Sequence, residues 1–97
     1  MSVNDIPPEE SLIEYPSRFP IKVMGSNVDG FVDAMVAIAQ RFDPSFDPAT
    51  DPQAIVTRPS SGNKYLGVTL TVNATSRVQL DELYRTLSTH PMVKMVL

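Results

Sequence analysis

The order of its elements constrains this chain most. From about residue 19 to residue 97 the patterning reads strand, helix, strand, strand, helix, strand, and few folds accommodate that order in so short a span. The segment Phe19-Pro-Ile-Lys-Val-Met alternates, with Phe19, Ile21 and Val23 on one face, and Gly25 ends it. Ser26 and Asp29 give a capping-box-like start to a helix over 27–41. Its apolar stripe is Val28, Phe31, Val32, Met35, Ala39 and Phe42. A second strand over 55–58 runs into Pro59, which removes a ladder donor and suits an edge. Residues 60–64 form the turn to a third strand over 65–73.

That third strand is the cleanest in the chain. Leu66, Val68, Leu70 and Val72 face one way; Tyr65, Gly67, Thr69, Thr71 and Asn73 face the other. Alternation this regular means one face is buried and one is not. Ser76 and Gln79 form a second capping box, opening a helix with the stripe Leu80, Leu83, Tyr84 and Leu87. His90 and Pro91 end it, and the last strand runs over 93–97. With right-handed crossovers the fold class is α+β: a ferredoxin-like split βαβ sandwich, β-α-β-β-α-β, antiparallel order 4-1-3-2, both helices on one face. Residues 1–18 form an acidic leader and 19–97 the domain.

The sheet face left without helices is where a function is expected. It should show Lys22, Met24, Val56, Arg58, Tyr65, Thr69, Thr71, Lys94 and Val96, with Met92 adding to an apolar component. Methionine-containing surfaces adapt to varied partners. The last strand ends the chain as an edge, with only Lys94 to protect it. A protein partner or small ligand on the face, or a homodimer through the face or an edge strand, would cover these groups.

Composition narrows the alternatives. There is no cysteine, which removes disulfides, thiolate catalysis and Cys-ligated metals. No apolar run is long enough to span a bilayer, and the leader is not a secretory signal, so a cytoplasmic protein without membrane contact is expected. Net charge is −3, which disfavours a duplex nucleic-acid binder. The charge is uneven. Residues 1–17 hold four acids and no base; residues 54–97 hold five bases against Asp81 and Glu82.

Enzyme chemistry finds no footing. His90 is the only histidine, at a helix C-terminus where the helix dipole explains it, and no nucleophile–base pair forms around it. Asp43, Asp47 and Asp51 each precede a proline; a calcium loop needs tighter spacing, a glycine and a bidentate Glu. These Asp-Pro pairs make a stiff surface loop. Residues 24–30 could offer backbone amides to a phosphate, but no Arg or Lys lies between Lys22 and Arg41, and Asp29 and Asp33 oppose one. No cofactor or metal is implied. An RNA-recognition platform needs aromatics on the central strands, and only Tyr65 is available there.

Several blocks then align with a known family. Tyr15-Pro precedes Phe19-Pro-Ile-Lys-Val-Met-Gly25; Arg58-Pro-Ser-Ser61 leads to Tyr65; Val68-Thr-Leu-Thr-Val-Asn-Ala-Thr75, Leu83-Tyr84 and the terminal Val93-Lys-Met-Val-Leu97 follow. In this order, over about 13–97, they resemble the bacterial YbeD-like family, known as a domain of unknown function or as lipoate regulatory proteins. The resemblance implies a ferredoxin-like fold similar to the ligand-binding ACT-type regulatory domains. It also implies a connection with lipoate metabolism that rests on gene neighbourhood, and it supplies no catalytic residues. The expectation is a non-enzymatic regulatory or interaction domain using Lys22, Met24, Arg58, Tyr65, Thr69, Thr71, Lys94 and Val96. The alternative is a single-stranded nucleic-acid-binding module on the same face.

Overall fold

The computed structural model describes residues 14–97. Its elements are β1 (Ser17–Ser26), α1 (Phe31–Phe42), a 3-10 turn at Pro52–Ala54, β2 (Ile55–Pro59), β3 (Tyr65–Ala74), α2 (Arg77–Ser88) and β4 (Val93–Val96). The strands form one antiparallel sheet in the order β2-β3-β1-β4. This is the ferredoxin-like order expected, read from the other edge. Most of the predicted acidic leader lies outside the described residues; β1 begins at Ser17, two residues before the predicted domain start at 19.

Alternation builds the sheet. In β3 the residues Leu66, Val68, Leu70, Val72 and Ala74 are buried and their neighbours are not. Val68 pairs with Val23 and Leu70 with Ile21, so the buried sides of the two central strands coincide. Onto that side the helices bring Phe31, Met35, Ile38 and Ala39 from α1 and Leu80, Leu83 and Leu87 from α2. Burying an aliphatic or aromatic side chain of this size contributes about 1.5–3 kcal/mol. Gly25 has a steric role. A Cβ there would come within 2.6 Å of the Phe31 ring and closer still to the Met92 carbonyl oxygen, so β1, α1 and the residue before β4 meet only over a bare backbone.

The start of α1 differs from the sequence reading. The Ser26–Asp29 box does not form. The N-cap is Gly30, in the left-handed region at φ 88°, with no side-chain capping bond. Val28, assigned to the apolar stripe, is 54% exposed. The Val28 amide donates to the Ser26 carbonyl and the Phe31 amide to the Val28 carbonyl, so the chain turns before it coils. The helix also extends one residue further, to Phe42.

The start of α2 behaves as read. Ser76 Oγ accepts from the Gln79 amide at 3.0 Å. The Gln79 side chain does more than complete the cap. Its Oε1 accepts from the Thr75 amide, and its Nε2 donates to the carbonyls of Phe42 and Asn73. One residue thereby ties the end of α1, the end of β3 and the start of α2.

The Asp-Pro repeat forms three Asx turns. Asp43, Asp47 and Asp51 each accept from the amide two residues on, at Ser45, Ala49 and Gln53. Asp43 is only 4% exposed; its Oδ1 also accepts from the Ser45 hydroxyl, and its Oδ2 accepts from the Asn73 amide at 2.8 Å. Asn73 lies beyond Leu70, where β2 stops pairing, so the carboxylate continues the ladder that β2 leaves open. Asp51 also pairs with Arg18 at 2.9 Å.

Candidate functional site

The face opposite the helices is assembled from two short rows of residues. Antiparallel register places Val56, Thr69 and Lys22 side by side across β2, β3 and β1. The next row is Arg58, Gly67, Met24 and, on β4, Met95. Gly67 has no side chain, and a groove of about 440 Å³ opens there, lined by Lys22, Met24, Val56, Arg58, Pro59, Ser60, Gly67 and Thr69. The hairpin loop at its end is well fixed. The Tyr65 amide donates to Ser60 Oγ at 3.0 Å, and Gly62 and Asn63 take positive φ. Asn27 clasps that loop from the β1–α1 connection, its amide donating to the Lys64 carbonyl and its Nδ2 to the Asn63 carbonyl.

Among the described residues nothing requires the groove. A Cβ on Gly67 would meet only the Arg58 carbonyl oxygen, at an ordinary 3.5 Å, and the backbone there is not in the left-handed region. A glycine in the interior of a central strand weakens it, and often marks a place where something else approaches. Gly25 and Gly67 are thus unlike each other: the first is demanded by packing, the second by nothing among the described residues.

Charge on the strands has one sign. The four strands carry Arg18, Lys22, Arg58 and Lys94 and not one Asp or Glu, although the whole chain has a net charge of −3. Arg18 is held by Asp51. Among the described residues, Lys22 and Arg58 have no side-chain hydrogen bond or ion pair.

The structure brings together four of the residues singled out from sequence: Lys22, Met24, Arg58 and Thr69 line the groove. Tyr65 and Thr71 lie on the same face outside it, opposite Ser26 and Pro20. Lys94 is exposed at the sheet edge, as the extra residue of a β-bulge: Met24 pairs with Met95 and Gly25 with Val93, so Lys94 has no partner. Val96 is a correction. It stands opposite Val23 and packs against the core, because the bulge reverses the parity that simple alternation assigns to the last strand. Met92 also packs against the core, and Met95, 51% exposed, takes its place on the open face. Gly67, Pro59 and Met95 were missed as site residues by sequence reasoning, and Ser60 was considered there only as a hydroxyl without a base to activate it. Only Gly67 carried a signal, as a glycine inside an otherwise regular strand.

The remaining candidates are occupied by structure. His90 Nδ1 accepts from the Met92 amide at 3.1 Å, which makes His90 a turn-former. Among the described residues no group of three or more His, Cys, Asp or Glu is placed to hold a metal ion. Among them, too, no helix is long and apolar enough to cross a membrane.

A profile described as "Protein of unknown function (DUF493)" matches residues 10–97. The chain belongs to this family. It is 62% identical to a UPF0250 protein of Leptothrix cholodnii over 95 residues, covering 98% of this chain and all of the relative. It is 57% identical to a UPF0250 protein of Bordetella pertussis with the same coverage, and 58% identical to one of Ralstonia nicotianae over 94% of this chain and 90% of the relative. The YbeD-like resemblance read from the sequence blocks is therefore shown. The family's description names no activity.

Proposed function

We propose that this protein is a non-enzymatic regulatory or interaction domain whose working surface is the open sheet face. The observation that carries the reading is Gly67. It opens a groove in the middle of the sheet that the described residues neither need nor fill, on a face where two cations, Lys22 and Arg58, have no ion-pair partner among those residues. The groove holds no nucleophile–base pair: Ser60 and Thr69 supply hydroxyls, and no His, Asp or Glu stands among the other lining residues to activate them.

The test is charge reversal. Lys22→Glu with Lys94→Glu changes two exposed residues and should leave the unfolding transition in place. It should remove the open-face amide shifts that the wild type shows with whichever of lipoate, octanoate, single amino acids or short RNA binds it. Undiminished binding by the double variant contradicts the reading.

A second reading is a module for single-stranded nucleic acid. It is favoured by the all-cationic strands and by Tyr65, whose ring lies 5.5 Å from Lys64 Nζ. It predicts affinity for single-stranded RNA that falls steeply with added salt. Absence of binding at low salt removes it.

A further inference from the structure

We propose that the groove over Gly67 is a site for a small organic anion carrying a short apolar portion. The proposal rests on the open-face reading above and names its ligand class. Its basis is how charge and apolar surface are arranged around the floor. Gly67 and Thr69 form that floor on β3, and four side chains stand at its corners, two from β1 and two from β2. Lys22 and Arg58 occupy one diagonal. Met24 and Val56 occupy the other.

The spacing suits one shared anion. β1 and β2 are separated by β3, hence by about 9.6 Å, and the two rows are one pleat repeat apart, about 6.8 Å. The Cα atoms of Lys22 and Arg58 are therefore about 12 Å apart. Each side chain need reach only about half of that to meet the other over β3, midway between Gly67 and Thr69, and Gly67 has no Cβ to block the approach. A carboxylate or phosphate there would receive charge-assisted hydrogen bonds from both sides, with Thr69 lining the same groove. No acidic residue on any strand competes for these cations.

The second diagonal sets the rest of the ligand. Met24 is 37% exposed and Val56 56% exposed, and Met95 extends the same apolar strip from Met24 toward the β4 edge. An inorganic anion would leave this surface wet. An amphiphilic anion covers it, and a methionine pair adapts to its shape. A cation of the same chain length would meet Lys22 and Arg58 with like charge.

Three probes separate these contributions: hexanoate, hexylammonium and inorganic phosphate, each titrated into the full-length labelled protein and followed on its amide resonances. Hexanoate should produce saturable shifts at Gly67, Thr69 and Met24, with weaker effects from phosphate and none from hexylammonium. Lys22→Gln with Arg58→Gln should weaken hexanoate binding by about tenfold for each charge-assisted hydrogen bond removed. Gly67→Leu, which fills the floor, should block it while the unfolding midpoint confirms a folded chain. Equal binding of hexylammonium, equal binding of phosphate, or an unaffected double variant each overturns the proposal. If hexanoate fails but open-face amides still shift in a native soluble extract, the ligand class is wrong and the open-face reading stands. If neither shifts that face, both fall.

Discussion

Gly25 and Gly67 lie on the two neighbouring central strands, and their surroundings set opposite demands. At Gly25 an added methyl collides with the Phe31 ring and the Met92 carbonyl. Gly25→Ala should destabilise by about 1–3 kcal/mol, seen as a lower denaturation midpoint. At Gly67 the same change meets no obstacle and removes a flexible residue from a strand. Gly67→Ala should be neutral or stabilising by up to about 1 kcal/mol. A large loss of stability in Gly67→Ala would show a structural need for this glycine and weaken the case for the groove. Asp43 is the other residue whose role emerges only from its hydrogen bonds. Asp43→Ala leaves the Asn73 amide without its acceptor, and the expected loss is about 1–3 kcal/mol at an unchanged denaturant slope.

Elements were legible where local patterning and tertiary demand agree. In β3, ten residues alternate without interruption, and both its buried face and its place in the sheet follow. In α2 the Ser76 cap is a local signal and is realised; Ser76→Ala should lower stability by about 1 kcal/mol in equilibrium unfolding. The start of α1 was not legible. Ser26, Asp29 and Val28 satisfy a capping pattern in the sequence, but Ser26 is still paired in β1 and Gly30 turns the chain instead. In β4 alternation predicts the wrong side for Val96, because a single extra residue, Lys94, shifts the parity. A bulge depends on the register of two strands distant in sequence, so no window of the chain around residues 93–97 displays it. The same holds for the groove. Lys22, Met24, Arg58 and Thr69 could be placed on one face from alternation, whereas the diagonals they form depend on how β2 and β1 align on β3.

At the scale of the whole molecule, opposite sides of the sheet carry different tasks. One side holds the apolar core against two helices; the other holds cations and methionines in a chain whose acids lie on helices, loops and the N-terminal segment. Tyr84, on α2, reports on the first side. Partial burial raises its phenol above the ordinary 10.0. The unfolded chain therefore ionises this group at lower pH than the folded one. Its contribution to stability is complete below pH 10 and is lost as pH rises through the folded value. Denaturation midpoints followed upward from pH 9 should fall, and Tyr84→Phe should flatten part of that fall.

The second side is tested most directly by mapping amide shifts of the labelled protein between buffer and a native soluble extract. If the open face is the working surface, the changes concentrate at Lys22, Met24, Gly67 and Thr69, and the exposed positions of α1 and α2 stay in place. Changes confined to the helices, with Gly67 and Thr69 unmoved, would contradict the account and assign the function to the opposite side of the domain.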